Sequence, residues 1–145
     1  MRNHYMGEHP KIVDYGPEPF IFNISHATNM NKNFRTTLWT GQDMQLTLMS
    51  IPPGGDIGVE MHKNVDQFIR VESGNARVYM GNCENALREV GCVNQNYAII
   101  IPAGTWHNIV NISKQPLKLY SIYAPPQHPF NTVHTTKSAA EHKDH

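Results

Sequence analysis

The sequence predicts an all-β fold, a closed antiparallel barrel, on two observations. The middle of the chain consists of short apolar or alternating runs punctuated by Gly, Pro and Asn, a pattern typical of β-sandwiches and barrels. It lacks the sustained 3.6-residue periodicity of a long helix. Eight strands are expected, over residues 36–40, 44–51, 58–63, 67–72, 76–80, 97–101, 106–111 and 117–123.

Each expected strand is bounded by residues that favour turns through a fixed or positive φ. These turn segments are Pro52-Pro53-Gly54-Gly55, Ser73-Gly74-Asn75, Gly81-Asn82 and Pro102-Ala103-Gly104. After the last strand, three prolines between residues 124 and 129 remove ladder donors, so this segment is expected to cross the barrel mouth or its outside.

A chain of 145 residues is long enough for one hydrophobic core, so a single folded unit is the default. Residues 1–35 are expected to form an N-terminal arm with at most an edge strand, and 25–34 a short helix. Residues 36–125 form the predicted barrel. Residues 126–145 form a C-terminal extension that is small, polar and partly frayed.

The composition argues against several partners. Twelve basic and twelve acidic residues cancel, so no global field would attract nucleic acid or a membrane surface. The first ten residues lack the apolar stretch of a secretion signal, and no run of about 20 apolar residues occurs, so a cytoplasmic protein is expected. Cys83 and Cys92 are either two free thiols or a disulfide across a hairpin.

The first group of candidate functional residues lies around position 60. Residues two apart in a strand share a face, so Glu60 and His62 are expected to project together into the barrel. A buried ionised carboxylate costs several kcal/mol unless it is compensated, and a metal ion would compensate it. Gln67 opens the next strand with the same parity as the apolar Ile69 and Val71, so its amide is also expected inside.

A second group follows much later in the chain. The run Ile99-Ile100-Ile101 leads into Pro102-Ala103-Gly104-Thr105-Trp106-His107. The Pro-x-Gly turn places His107 near the start of a new strand, on the face that it shares with Ile109 and Asn111.

Together these segments resemble the two motifs of the cupin superfamily, in particular its small single-domain barrels. The first motif is a Gly, then His-x-His after five residues, a Glu three or four residues later, and a Gly after six more. At the corresponding positions this chain has Gly54 or Gly55, Glu60-x-His62, Gln67 and Gly74. The second, Pro-x-Gly-x-x-His-x-x-x-Asn, matches Pro102, Gly104, His107 and Asn111 at the family spacing.

The resemblance implies a double-stranded β-helix, or jelly-roll barrel, often dimeric, with one divalent metal ion inside. Carried over position by position, the metal ligands are Glu60, His62, Gln67 and His107, with Gln67 either a direct ligand or a hydrogen-bond partner of a metal-bound water. Glu60 replaces the family's first His and Gln67 replaces its Glu. The ligand charge therefore stays at minus one, which argues against a decayed site.

Two further expectations concern residues around these motifs. The family's glycine before Pro102 is displaced, since Gly91 lies eleven positions upstream, so Asn94 or Asn96 is expected to make that turn. The remaining histidines fit no ligand spacing and are expected to be solvated, with His128 nearest the barrel mouth; they are His4, His9, His26, His128, His134, His142 and His145.

A nitrogen and oxygen ligand set without thiolate suits Mn, Fe(II), Co, Ni or Zn, and the sequence does not choose among them. The first functional hypothesis is a sugar or sugar-phosphate isomerase or epimerase, whose general base would be Tyr97, Tyr120 or His128. The second is a non-haem Fe(II) dioxygenase, for which Glu60, His62 and His107 would form a facial triad. The third is a non-catalytic small-molecule-binding or structural metalloprotein.

A small-molecule substrate or ligand and a second copy of the chain are the expected partners, with no nucleic acid and no membrane.

Overall fold

The computed structural model describes residues 4–5 and 11–143, with side chains over 11–141. The expectations for His9 and His145, and for the side chains of His4 and His142, lie outside that description. The elements in chain order are β1 (His4–Tyr5), β2 (Phe20–Ile21), α1 (Ile24–Met30), β3 (Arg35–Thr40), β4 (Gln45–Ile51), β5 (Asp66–Ser73), β6 (Ala76–Gly81), β7 (Arg88–Val93), β8 (Ala98–Ile101), β9 (Trp106–Asn111), β10 (Leu117–Ala124), β11 (Val133–His134) and α2 (Lys137–Lys143).

Two antiparallel sheets form the body of the molecule. The larger has six strands in the order β11-β3-β4-β10-β5-β8, and the smaller has three in the order β7-β6-β9. Apolar side chains from the two sheets pack into one buried cluster that includes Met49, Ile69 and Leu119 from the larger sheet and Val78 and Ile109 from the smaller. The predicted all-β, double-stranded β-helix fold is confirmed.

The inward-facing rows of the larger sheet change character along the strands. On β10, the side chains of Leu117, Leu119, Ser121 and Tyr123 share the inner face, and all four are buried. The first two are apolar and the last two carry hydroxyl groups. The inner face of neighbouring β5 also changes from apolar to polar, and its Gln67 is paired with Tyr123 of β10. One end of the interior is therefore apolar and the other polar, and the candidate site lies at the polar end.

Helix α1 covers the outer face of the larger sheet, and its position confirms the short helix expected within 25–34. Asn23 caps it by accepting a hydrogen bond from the His26 N–H. A second apolar cluster forms beneath it around Leu38, Leu46, Leu48 and Tyr120. The same amino-terminal part contributes β1 and β2, which pair in parallel.

Seven of the eight expected strands are present within a residue or two of their predicted bounds, but the strand predicted over 58–63 is wrong. That segment makes only isolated bridges to β9, from Asp56 to Val110 and from Glu60 to His107. Gly58 lies between the two bridges with φ of 92°, a left-handed conformation that interrupts an extended ladder. The turn expected at Asn94 or Asn96 is made by Asn96, with φ of 75°.

Four elements were not expected from the pattern. Strand β1 pairs with β2, although at most one edge strand was expected in residues 1–35. Strand β7 pairs with β6 but is mostly exposed, so it lacks an apolar alternation. Strand β11 pairs with β3, and α2 follows it, so much of the carboxyl-terminal extension is ordered against the barrel. The domain boundaries themselves stay a prediction.

Cys83 and Cys92 are both free and exposed, which settles the choice between thiols and a disulfide. Among the described residues, neither helix is long and apolar enough to cross a membrane.

Candidate metal centre

The segment around residue 60 is fastened to the start of β9. The Glu60 N–H donates to the His107 carbonyl at 3.0 Å, and the His107 N–H donates back to the Glu60 carbonyl at 2.9 Å. The Gly104 N–H donates to the His62 carbonyl at 2.8 Å. These bonds hold the two sequence segments together although 58–63 is not a regular strand.

Three of the four predicted ligands converge. Glu60 Oε1 lies 3.4 Å from His62 Nε2 and 3.4 Å from His107 Nε2. One ligand atom from each residue lies within 4.8 Å of the other two. Two atoms that each bind one ion at about 2.1 Å are separated by roughly 3.0–3.4 Å, so the carboxylate is already at ligand spacing from both imidazoles.

The imidazole of His107 is held in the tautomer that binds metal. Its Nδ1 lies 2.9 Å from the Thr105 carbonyl oxygen, which can only accept, so Nδ1 carries the proton and Nε2 offers its lone pair. His107 is almost completely buried. The Nε2 atoms of His107 and His62 are both buried without a hydrogen-bond partner.

Glu60 is ionised in this setting. Burial raises the pKa of its carboxyl, whereas the neighbouring imidazoles of His107 and His62 and the positive charge of Arg35 lower it, and the resulting pKa lies below its usual range. A negative oxygen between two imidazole nitrogens with available lone pairs is an arrangement that a cation would stabilise.

The residues present therefore fit a divalent transition-metal ion. Two unpartnered imidazole nitrogens and one carboxylate are the donor types that such ions prefer when no thiolate is offered. Buried polar atoms without partners cost about 1–3 kcal/mol each, and a bound ion would remove that cost for both imidazoles.

Gln67, the fourth predicted ligand, is buried on the same inner face. Its Nε2 donates to Ser121 Oγ at 3.2 Å, and its Oε1 is buried without a hydrogen-bond partner. Its register partner Tyr123 packs edge-on against the ring of His62, with centroids 5.6 Å apart. Gln67 therefore lies close to the cluster with one free acceptor, and its direct ligation stays a prediction.

A cavity of about 870 Å³ opens above the cluster. Glu60 and His62 belong to its wall, and much of the remaining wall is polar or charged. Its lining residues are Phe34, Arg35, Asp56, Ile57, Gly58, Val59, Glu60, His62, Gln127, His128, Pro129, Lys137, Ala140 and Glu141.

His128 lies in this wall, as expected for the histidine nearest the barrel mouth. The fully buried Gln45 holds it there: Gln45 Nε2 donates to the His128 carbonyl at 2.7 Å, and the His128 N–H donates to Gln45 Oε1 at 2.9 Å. Burial and the charge of Arg35 lower the pKa of His128 to about 3, so its imidazole is neutral at neutral pH. Its Nε2 has no hydrogen-bond partner.

The other two residues considered as a general base lie elsewhere. Tyr97 is half exposed on the approach to β8, and Tyr120 belongs to the cluster under α1 on the outer face of the sheet. Tyr123, which packs on His62, is closer, but burial raises its pKa to about 12. Among the three candidates, only His128 lines the cavity.

Two expectations about the remaining histidines are wrong. His128 lies near the barrel mouth as expected, but it is half-buried with Nε2 buried, rather than solvated. His134 is buried rather than solvated, because β11 pairs with β3 and carries its ring onto Arg35, whose Nη1 lies 3.3 Å from His134 Nδ1. His26 is exposed as expected.

Arg35 is a site residue that sequence reasoning missed. It opens β3, outside both motifs, yet it lines the cavity and is 3% exposed. The only signal was an arginine in an otherwise buried strand, and strand parity alone does not show which cavity such a residue faces.

Comparisons with known proteins agree with the fold. Residues 47–123 match the family described as Cupin domain. The chain is 53% identical over 140 residues to the uncharacterized protein YrkC of Bacillus subtilis (strain 168), covering 97% of this chain and 75% of YrkC.

Two further similarities were found. The crystal structure of BH2720 from Bacillus halodurans superposes with a TM-score of 0.84 at 53% identity, covering 90% of this chain and 99% of BH2720. The xanthan biosynthesis protein XanB of Xanthomonas campestris pv. campestris (strain B100) is 30% identical over 82 residues, which is 57% of this chain and 16% of XanB.

Proposed function

The chain belongs to the cupin family, and on that premise we propose that it is a metal-dependent enzyme acting on a small polar substrate in the barrel. Glu60, His62 and His107 would hold one divalent ion, with Gln67 as a fourth ligand or a water-binding neighbour. The observation that carries the proposal is the convergence of three ligand atoms beneath an open, polar cavity.

The reaction proposed first is isomerisation or epimerisation of a carbohydrate-like substrate. When bound, the ion would supply Lewis acidity that polarises a carbonyl and acidifies the adjacent C–H. His128 would accept the proton at Nε2, because it lies in the cavity wall with that atom unpartnered. Its pKa of about 3 makes it a weak base on its own, so the negative charge that the substrate gains would have to stabilise the protonated ring. A polar wall suits a hydroxylated substrate, and the similarity to a xanthan biosynthesis protein supports a carbohydrate.

Solvent hydrogen exchange tests this reaction. The metal-loaded protein would be incubated in D₂O with a panel of sugars, sugar acids and sugar phosphates, and loss of one C–H signal would be followed by NMR. We expect exchange with a member of the panel, and we expect His128→Gln to abolish it without loss of metal. His26→Gln, at an exposed position on α1, is the matched control and should retain exchange.

A second candidate, an Fe(II)-dependent oxygenase, has its own observation. Glu60, His62 and His107 alone form the two-histidine, one-carboxylate set of non-haem iron oxygenases. Oxygen consumption by the Fe(II)-loaded protein that depends on substrate, without C–H exchange under anaerobic conditions, would favour this candidate over the isomerase.

The third hypothesis, a non-catalytic binding role, is tested by the same two experiments, hydrogen exchange and oxygen consumption. Metal retention with neither exchange nor oxygen consumption over the whole panel would contradict both enzymatic proposals.

A further inference from the structure

The side-chain amide of Gln45 makes every hydrogen bond of which it is capable. Gln45 is completely buried at the start of β4. Its Nε2 donates to the carbonyl oxygen of His128 at 2.7 Å and to Thr40 Oγ1 at 2.9 Å. Its Oε1 accepts from the backbone N–H groups of His128 at 2.9 Å and of Gln127 at 3.1 Å. An amide offers two donors and two acceptor lone pairs, so these four partners fix its orientation.

These bonds extend to the amino-terminal arm and to a second point on the loop that carries His128. Thr40 Oγ1 donates to Asp14 Oδ2 at 2.6 Å, and the same carboxylate oxygen accepts from the Asn131 N–H at 3.0 Å. We call residues 125–132, which join β10 to β11, the mouth loop. Buried or half-buried side chains from outside the mouth loop therefore hold its backbone at two places.

The ring of Tyr123 lies between the rings of His128 and His62. It packs edge-on against both, with centroids 5.3 Å from the His128 ring and 5.6 Å from the His62 ring. Tyr123 is paired with Gln45 of β4 on one side and with Gln67 of β5 on the other. One ring thus separates His128 from a candidate metal ligand, and edge-on contact is a favourable arrangement for such rings.

We propose that Gln45 is a positioning residue of the site, which fixes the His128 imidazole relative to the metal ligands by binding the backbone of the mouth loop. This inference rests on the proposed function, in which His128 accepts the proton. Gln45 is not part of the cavity wall, so it acts only through His128. A misplacement of about 1 Å at a reacting group can lower a rate roughly 100-fold, so the position of this ring matters for the reaction.

Gln45→Glu removes the two donors at nearly constant size. A carboxylate offers only acceptors, so it would face the His128 carbonyl oxygen without a hydrogen bond. Thr40 does not compensate, because its hydroxyl proton is already donated to Asp14. Gln42→Glu, at an exposed position between β3 and β4, makes the same change outside the site and is the matched control.

NMR of protein with isotope-labelled histidine rings, recorded without metal and with Co(II), measures the position of His128. His128→Gln identifies the signal. The ring current of Tyr123 shifts it without metal, and the paramagnetic shift from Co(II) falls steeply with distance. In Gln45→Glu we expect the His128 signal to move or broaden in both spectra. The signals of His62 and His107 should stay as in wild type, and an unchanged His128 signal would overturn the proposal.

Kinetics separate positioning from a role in folding alone. In the solvent exchange assay, we expect Gln45→Glu to lower kcat roughly 10- to 100-fold, with KM changed less than about twofold, while the protein retains its ion. Gln42→Glu should behave as wild type. A role confined to folding would lower Tm and leave kcat of the folded protein unchanged, and that result would contradict the proposal.

Thr40→Val carries the same tests if Gln45→Glu does not fold. It removes one acceptor of Gln45 Nε2, so the His128 signal should broaden and kcat should fall by a smaller factor. No change in either would overturn the proposal. A wild-type protein that binds no Co(II), or exchanges with no member of the panel, contradicts the proposed function. The metal-free spectra still decide whether Gln45 positions His128.

Discussion

Glu60 is the residue on which the electrostatics of the site depend. It carries the charge that the family places on the position of Gln67, and it stands 3.4 Å from both imidazole nitrogens. The Gln67 amide on β5 remains buried with a free oxygen. The sequence could predict that Glu60, His62 and His107 converge, because motif spacing survives the exchange of a carboxylate and an amide, while ligation by Gln67 stays a prediction. It could not predict Arg35, whose place in the cavity depends on the pairing of β3 with β11.

Replacing His107 tests the ligand cluster. His107→Ala should reduce bound metal from one ion per chain to a small fraction. The deletion also leaves a void, so the discriminating result is the response to EDTA. In wild type, an ion at 100 times its Kd adds about 2.7 kcal/mol, so EDTA should lower Tm by roughly 9 °C; in His107→Ala it should change nothing.

His26→Ala is the control for this experiment and should keep the EDTA response. Full metal occupancy in His107→Ala, measured by elemental analysis, would show that His107 is not a ligand.

Gln67 is tested by removing its amide at nearly constant volume. Gln67→Leu should weaken metal affinity roughly tenfold, as expected for a ligand or a partner of bound water. The stability of the metal-free protein should change little, because loss of the hydrogen bond to Ser121 is offset by removal of a buried oxygen without a partner. Competition with a chelator gives the affinity, and an unchanged Kd would place Gln67 outside the site.

At the scale of elements, alternation predicted the strands that have one buried face. Strand β5 shows this alternation most clearly, whereas β4 and much of β10 are buried on both faces, because the cluster under α1 covers their outer face. Strand β7 was not predicted because it is mostly exposed, and α2 was not predicted because, over its described side chains 137–141, the sequence is largely polar and only Ala140 is buried. The segment 58–63 read as a strand since its side chains alternate, yet Gly58 interrupts the ladder.

Gly58 also sets the position of the ligand segment. Its φ of 92° is costly for any residue with a Cβ, so Gly58→Ala should lower the free energy of unfolding by about 1 kcal/mol and weaken metal binding at Glu60, two residues on. Gly91→Ala, where φ is not positive and a Cβ would meet nothing within 4 Å, is the matched control. Equal stabilities of the two variants in urea denaturation would contradict this role.

Helix α2 is fastened to the cavity rim by Lys137, which donates to Asp56. Burial raises the pKa of Asp56, but hydrogen bonds from Lys137 and Asn108 outweigh it, so the pKa lies below its ordinary value of 3.8. A carboxyl with a lowered folded pKa stabilises the fold above its unfolded pKa. That contribution disappears as the pH falls through the folded pKa.

Lys137→Met should therefore cost less than about 1 kcal/mol at pH 7, since the pair is partly exposed, and the difference from wild type should shrink once the pH falls well below 3.8. Urea denaturation as a function of pH measures it. Lys114→Met, at an exposed position, should show no such pH dependence; a difference that persists unchanged in acid would contradict the ionic link.

At the scale of the whole molecule, stability and function occupy opposite ends of one barrel. The apolar end joins the two sheets through the main buried cluster, whereas the polar end presents Gln45, Thr47, Gln67, Ser121 and Tyr123 toward the site. The main buried cluster stabilises the fold. The barrel can therefore tolerate a site in which buried polar atoms lack hydrogen-bond partners when no ion is bound. The homodimer and the cytoplasmic location stay predictions.

Anomalous diffraction from crystals of Mn(II)- or Co(II)-loaded protein, recorded on both sides of the metal edge, tests the central claim most directly. The account predicts one peak per chain at about 2.0–2.3 Å from Glu60 Oε1, His62 Nε2 and His107 Nε2. A loaded protein with no peak there, or with these three side chains directed apart, would contradict it.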